Sequence, residues 1–314
     1  MKLNSIVTAA SALLLSVPAV FAQQGTAYPA QDGKGITLST EYEASFIYPY
    51  EKIKGQAIQG ADYYKGYVLS LRNTGVATIL KYEDGKLTPV SNFKLASYHK
   101  NNHANVASFG KKYDRKDPLP LAYVSHCQKA LIDGKKDLLF VERISEDMKS
   151  STLVQTIFYD DVNKDFDYAL QWVVDGKYLY GFGNTTKDRD LQGNRHRVIK
   201  FLLPDIDQEF VTLRPEDALE NYCIEDSGFT YGTIGQGLCI HKGHLLMPSG
   251  LGDANYPSYL WVWNLKTRRM DSVLDLGAKT KGEPEDLMRV KGNHYLLQGQ
   301  LGVFTLDYKI KKTL

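Results

Sequence analysis

Amide and carboxylate side chains recur at one position of a repeated pattern, where they could bind a polar ligand. Each stands seven residues before a glycine: Gln59 before Gly66, Gln236 before Gly243, and Glu285 before Gly292. Amides donate and accept hydrogen bonds, and a carboxylate accepts them, so such a set suits a sugar or another small polar molecule. If the fold brings the repeated positions together, the pattern predicts a polar site there.

Two further units depart from this pattern but carry polar side chains near the same level. In one of them the count of seven reaches Ala169, which Asp167 and Gln171 flank. In the other, the segment HANVASFG offers His103 and Asn105 on one face, because side chains alternate along a strand. We expect these four polar residues to converge with the first three.

His103 and Glu285 are the candidates for catalysis, since an imidazole near a carboxylate can act as a general acid or base. Glu283, Glu285 and Asp286 place three carboxylates within four residues, which is costly unless some meet cations or hydrogen-bond donors. We therefore add Glu283 to the ligand-binding set. An oxygen-rich cluster also suits Ca²⁺, yet the D-x-[DN]-x-[DN]-G loop is absent, and we expect neither metal nor cofactor.

The elements that must position these residues are short strands joined by glycine turns. Four strand pairs share such a turn: Lys65-Gly66, Asp175-Gly176, Lys242-Gly243 and Lys291-Gly292. Glycine supplies the positive φ that a tight hairpin needs. Further strands follow each hairpin, so the pattern predicts four-stranded units, the third of which ends with EFVTL (209–213). Another unit, without the glycine hairpin, covers residues 103–159.

This repeat predicts an all-β fold, a β-propeller with five blades; a split of the long second unit would give six. The last unit lacks a strand, because only four residues follow GVFTLDYKI (302–310). Residues 36–44, ITLSTEYEA, would complete it, close the ring and hide both edges. A β-sandwich also has short strands, but it explains neither the repeat nor the missing strand.

The segment from Gly282 to Leu287 reads GEPEDL. It resembles the E-P-E-G and apolar stretch that opens blades in secreted β-propellers of the lactonase-like and glutamine-cyclotransferase-like groups. Asp286 stands where those groups usually have glycine. The resemblance implies the propeller fold and carries no activity over to this chain.

The overall charge and the amino terminus limit which partners and which compartment we expect for this protein. The 314 residues include 38 Lys and Arg against 36 Asp and Glu, so the overall charge gives no reason to expect nucleic acid. Residues 1–22 have a basic start, an apolar stretch and small residues before Gln23, as in a secretory signal peptide. The apolar stretch is too short and interrupted for a membrane span. We expect residues 23–314 to form one domain of a secreted or periplasmic protein.

Three functions fit these observations. The first is a module that binds a polar small molecule or glycan at the axial mouth of the propeller. The second is a glycan-active hydrolase or lyase that uses axial carboxylates and His103. The third is a scaffold that binds a protein partner, in which case the axial groups bond only one another and water. Fold alone does not choose among them.

Overall fold

The computed structural model describes residues 36–127, 130–186, 195–224 and 235–312. The signal peptide expected over residues 1–22 lies outside these ranges. The fold is nearly all-β, with 57% strand and 4% helix. Three short 3₁₀ turns occur among the described residues, at Asn73–Gly75, Pro215–Asp217 and Leu276–Ala278. None of the helical segments described is long and apolar enough to cross a bilayer.

The described part of the chain contains twenty-one strands. In chain order they are β1 (Ile36–Pro49), β2 (Ile58–Tyr64), β3 (Tyr67–Arg72), β4 (Val76–Glu83), β5 (Lys86–Lys94), β6 (Val106–Phe109), β7 (Ala122–His126), β8 (Leu138–Ile144), β9 (Ser151–Tyr159), β10 (Tyr168–Asp175), β11 (Tyr178–Asn184), β12 (His196–Leu202), β13 (Phe210–Leu213), β14 (Glu220–Cys223), β15 (Cys239–His241), β16 (His244–Ser249), β17 (Tyr259–Asn264), β18 (Arg269–Asp275), β19 (Pro284–Lys291), β20 (His294–Gly299) and β21 (Gly302–Lys312).

These strands form five sheets that stand around an axis as the blades of a propeller. Blade I contains β2 to β5, blade II contains β6 to β9 with β13, and blade III contains β10, β11, β12 and β14. Blade IV contains β15 to β18, and blade V contains β19 to β21 with β1. The innermost strands touch in the order β2, β6, β10, β15 and β19, and β19 touches β2 again. The predicted five-bladed propeller is confirmed.

The ring closes through the pairing of the first and last strands. β1 lies antiparallel to β21, from the Ile36–Lys312 pair to the Pro49–Gly302 pair, so the predicted closing strand is also confirmed. Tyr42 of β1 is buried, and its hydroxyl donates to the carbonyl oxygens of Asp275 at 2.5 Å and Leu276 at 3.1 Å. Since both acceptors belong to blade IV or directly follow it, the closing strand also holds the neighbouring blade.

The third blade ends differently from the expectation. Residues Phe210–Leu213 pair in parallel with β9, as a fifth strand of blade II, and β14 completes blade III. The buried side chain of Gln155 donates to the carbonyl oxygens of Asp205 at 2.7 Å and Gln208 at 3.0 Å, which holds the preceding loop on blade II. Assigning 209–213 to the third unit was therefore wrong, because partner contacts rather than the local pattern decide the pairing.

Apolar side chains fill the spaces between adjacent blades. Each of the five interfaces has its own buried cluster. Trp172 and Tyr159 pack between blades II and III, and Trp263 packs between blades III and IV. Burial of such rings contributes most of the free energy that holds the blades together. The axis itself, in contrast, is lined by polar groups.

Replacing Tyr42 with phenylalanine tests the closure. The Tyr42→Phe variant keeps the buried ring but removes the hydroxyl donor from the Asp275 carbonyl oxygen, while the Leu276 carbonyl oxygen keeps the N–H and hydroxyl of Thr280 as donors. We therefore expect the free energy of unfolding to fall by about 1 kcal/mol. Urea denaturation measures it. Tyr98→Phe is the control, because Tyr98 is 40% exposed. Equal stability of both variants would show that closure does not depend on the Tyr42 hydroxyl.

Candidate functional site

The innermost strands share one direction, so the axis has two chemically different mouths. The first residues of these strands surround the amide mouth, which we define as Gln59, Asn105, Gln171, Gln236 and Glu285. Their last residues and the hairpins that follow surround the opposite mouth. A strand as long as β2 separates the two by about 20 Å.

Glu285 is the buried carboxyl group of the amide mouth, with 3% of its surface exposed. Gln300 Nε2 donates to Glu285 Oε1 at 2.5 Å and to the carbonyl oxygen of Ile58 at 2.9 Å, which links blade V to blade I. Burial raises the pKa of Glu285 well above its usual range, and the charges of Glu283 and Asp286 add to the effect. Its protonated form, a hydrogen-bond donor, is therefore favoured.

Gln236 and Glu283 form a second link at this mouth, between blades IV and V. Gln236 Nε2 donates to Glu283 Oε1 at 2.9 Å and to the carbonyl oxygen of Gly250 at 3.0 Å. Burial also raises the pKa of Glu283, and nearby Asp253 adds to this, while the hydrogen bond from Gln236 opposes it. The structure thus brings Gln236 and Glu283 together, next to Glu285 in the chain.

Asn105 and Gln171 occupy the amide mouth with unused hydrogen-bonding capacity. They are 5% and 3% exposed. Neither Asn105 Oδ1 nor Nδ2 has a hydrogen-bond partner among the described residues, and neither has Gln171 Oε1. Gln171 hydrogen-bonds the buried thiol of Cys127, whose pKa is raised by burial, by Asp137 and also by Glu285. Cys127 therefore lies between groups from blades III and V.

Gln59 is buried at the same end, and its backbone helps to join blades I and V. The side chain of Gln298 donates through Nε2 to the carbonyl oxygens of Gln59 and Gly60. Tyr50 in turn donates its hydroxyl to Gln298 Oε1 at 2.6 Å. The inner strand that carries Gln59 is thus held in place by fixed polar contacts.

The other two predicted residues, His103 and Asp167, have different surroundings. His103 is partly buried, and its backbone N–H donates to His126 Nδ1 at 3.2 Å. Burial, followed by the neighbouring His126, lowers the pKa of His103 to about 4, so the ring is neutral at pH 7. Asp167 is exposed. The structure therefore associates His103 with a second histidine and leaves Asp167 at the surface.

The sequence reasoning missed the role of Asp286, which lies fully buried on the axis. Its carboxyl group accepts four backbone N–H groups, those of Ala61 at 2.8 Å, Ala107 at 3.3 Å, Leu238 at 3.2 Å and Leu287 at 2.9 Å. These donors belong to blades I, II, IV and V. Burial raises the pKa of Asp286 well above its usual range, and the amide donors oppose this shift.

Glycine makes room for this carboxyl group. A Cβ atom on Gly237 would lie 2.1 Å from Asp286 Oδ1, and one on Gly60 would lie 2.5 Å from the backbone nitrogen of Ala107. Both distances are far below van der Waals contact, so no larger residue fits without moving backbone. The sequence did contain a signal for this role: Asp286 in the GEPEDL segment stands where the similar propeller motif usually has glycine.

Asp62 is a second axial carboxyl group, nearer the opposite mouth. It accepts the backbone N–H of Phe109 at 2.5 Å and that of Tyr63 at 2.7 Å. Burial raises its pKa to about 7 against these two hydrogen bonds. Among the residues that the structure describes, no group of three or more His, Cys, Asp or Glu side chains is placed to hold a metal ion.

Substitution of Asp286 tests whether it joins the inner strands. In Asp286→Asn one oxygen becomes an NH₂ group that faces backbone donors, so we expect a loss of about 2–4 kcal/mol in unfolding free energy. Chemical denaturation measures it. Asp84→Asn is the control, because Asp84 is an exposed turn residue with φ of 48°, which asparagine also accepts. Equal effects of the two substitutions would contradict the assignment.

The pKa of Asp62 predicts a pH dependence of stability. Its pKa rises from 3.8 to about 7 on folding, so the folded protein holds a proton that the unfolded chain has released. This contribution is complete below the unfolded pKa and is lost as pH rises through the folded pKa. Between about pH 4 and pH 7, Asp62→Asn should therefore lose less stability than the wild type. Parallel denaturation curves at every pH would contradict this.

No protein-family model matches the chain, and no curated protein matches it in sequence. Many solved structures are similar to it, and three of them illustrate the range. A protein of unknown function from Bacteroides thetaiotaomicron has a TM-score of 0.47 at 9% identity, over 86% of this chain and 76% of that one. The tail fiber of Staphylococcus aureus phage P68 has a TM-score of 0.50 at 13% identity, over 86% of this chain and 53% of the fiber, so this chain spans about half of its length. Glutaminyl cyclase of Myxococcus xanthus has a TM-score of 0.49 at 10% identity, over 86% of this chain and 97% of that one.

At such low identities these similarities concern the fold alone. The resemblance of the GEPEDL segment to secreted propellers agrees with the architecture at that level. Five blades, a continuous ring of inner strands and a last blade built from both ends of the described chain give this protein the β-propeller fold, without a specific family.

Proposed function

We propose that this chain is an exported propeller that binds a small, uncharged, hydroxyl-rich molecule, such as a sugar, at its amide mouth. The observation that carries the proposal is the amide of Asn105, which is buried while neither of its polar atoms has a partner in the described part of the chain. A buried polar group without a partner costs about 1–3 kcal/mol. A ligand hydroxyl can donate to Oδ1 and accept from Nδ2, which relieves that cost.

The neighbouring groups favour an uncharged ligand. Gln171 offers a free acceptor, and Glu285 in its protonated form offers a donor. Glu283 and Asp253 lie close enough at the rim for their charges to interact, so an anion would meet like charge there. Amides and hydroxyls of this kind, held on rigid strands, fix a polyol by geometry rather than by charge. The signal-like residues 1–22 support export.

A second candidate function is hydrolysis or elimination on a glycan, and the raised pKa values of Glu285 and Glu283 favour it. A carboxyl group with a raised pKa keeps its proton to a higher pH and can protonate a leaving oxygen, and a second carboxylate can assist on the other side. The variant Glu285→Gln distinguishes the two functions, because it keeps a neutral hydrogen-bonding group but removes the proton donor. Retained affinity with lost turnover would establish the enzyme.

The binding proposal predicts opposite effects of one substitution on stability and on affinity. Asn105→Leu removes the unsatisfied amide at similar volume, so we expect the unfolding free energy to rise by about 1 kcal/mol. We also expect the variant to lose the thermal shift that the wild type shows with one of a panel of neutral mono- and disaccharides. Differential scanning fluorimetry of the mature chain measures both.

Asn163→Leu is the matched control, because Asn163 is exposed in a loop outside the mouth. It should leave both the melting temperature and the sugar response near the wild-type values. If the wild type responds to no sugar in the panel, or if Asn105→Leu responds as strongly as the wild type, the proposed function is wrong.

A further inference from the structure

The mouth opposite the amide mouth is ringed by cations, one from each blade. We call it the lysine mouth and define it by Arg289 at the end of β19 and by the lysines in or beside the first hairpin of each blade. These lysines are Lys65, Lys112, Lys177, Lys242 and Lys291, and all six side chains are exposed. Because every inner strand points to this end, the topology places all of them around one axis.

The local conformation gives no reason for lysine at two of these positions. Lys65 and Lys242 have φ of 44° and 51°, in the left-handed region. That region costs an ordinary residue roughly 1 kcal/mol, and hairpins of this type favour asparagine, aspartate or glycine there. Asp84, at φ of 48° in another hairpin of this protein, follows the usual preference. Lys164 at φ of 56° and Arg268 at φ of 54° also occupy this region, so the conformation neither requires nor excludes lysine in these turns.

Counter-charges are scarce at the lysine mouth. No salt bridge of the described residues involves Lys65, Lys177, Lys291 or Arg289. The carboxyl group of Asp62 accepts the backbone N–H groups of Phe109 and Tyr63 instead. Two acidic residues interact with these cations: Asp175 with Arg289, and Asp117 with Lys112. Both also interact with a cation outside the mouth, Asp175 with Lys200 and Asp117 with Arg143.

His241, at the end of inner strand β15, reports the resulting positive potential. Its pKa is lowered to about 4, chiefly by burial and then by the charges of Arg289 and Lys242. The ring is 2% exposed, Nδ1 hydrogen-bonds the hydroxyl of Tyr295, and Nε2 has no hydrogen-bond partner among the described residues. An anion bound at this mouth would therefore meet the exposed cations, whereas the buried His241 ring interacts with their charge without contacting the anion.

We propose that the lysine mouth binds a small molecule that carries several phosphate or sulfate groups. Cations arranged around one axis direct their charge to a compact ligand, whereas a polymer would need cations along a groove. Lysine and arginine are the side chains that bind such oxyanions. This site is separate from the amide mouth, and its ligand has the opposite character. The near-zero overall charge of the chain conceals it, because that charge is summed over the whole surface.

The test is calorimetric titration of the mature protein with tripolyphosphate and, in a second arm, with sucrose octasulfate. Low ionic strength keeps screening weak. The variant Lys65→Gln/Lys177→Gln/Lys291→Gln/Arg289→Gln should bind at least about tenfold more weakly, since it loses charge-assisted hydrogen bonds. The matched control is Lys52→Gln/Lys54→Gln/Lys100→Gln/Lys281→Gln, which removes the same charge from exposed positions outside this mouth. It should bind within about twofold of the wild type.

The proposal is supported if the wild type binds either anion and the quadruple variant of the lysine mouth binds it more weakly. The anion that the wild type binds more tightly identifies the preferred group as phosphate or sulfate. Binding of neither anion by the wild type overturns it. So does an equal loss in both quadruple variants, because that result reflects net charge alone. Asn105→Leu should bind the anion as the wild type does, so failure at this mouth and failure at the amide mouth are distinguishable. Circular dichroism confirms that each variant is folded.

Discussion

The carboxyl group of Asp286 is the one point at which four blades meet, and the ring of inner strands depends on it. Four backbone amides from blades I, II, IV and V converge on two oxygen atoms. A buried carboxyl group without such donors would be strongly destabilising, so it constrains where every donating strand can lie. Gly60 and Gly237 allow the approach because neither has a Cβ atom. The inner strands of these blades therefore have fixed positions along the axis, and so do the residues at their two ends, which surround the two mouths.

This rigid centre separates the two kinds of interaction in the molecule. Between the blades, apolar clusters supply the free energy of folding, and they tolerate uneven loops such as the long connection between β6 and β7. On the axis, polar groups fix geometry at some cost in stability. Asn105 and Gln171 are buried with unused polar atoms, and a scaffold with five apolar interfaces can carry that cost. The groups that we propose as a ligand site are thus the ones that cost stability.

The architecture could be predicted from the sequence because its signals are local. Alternating apolar strands and glycine hairpins repeat along the chain, and the last unit visibly lacks a strand. The pairing of β13 with β9 could not be predicted, since EFVTL and ENYC both look like edge strands and only non-local contacts distinguish them. The count of seven residues before each repeat glycine also compared positions that are not equivalent in the structure. Gly66 and Gly243 are second in their turns, whereas Gly176 and Gly292 are first, and a bulge near Arg289 shifts the count in blade V.

Asp286 is a second example of what could not be predicted from the sequence. Its chain neighbours, Glu283 and Glu285, have side chains of similar chemistry, and the sequence alone treats the three as one acidic cluster. The fold assigns them to three environments: the rim, the mouth and the axis.

The pairing of β1 with β21 has a different consequence, which concerns the order in which the blades form. Since the last blade draws strands from both ends of the described chain, four blades can form in succession, but the circle stays open until its final strand has been made, and only then do distant segments become mutually dependent.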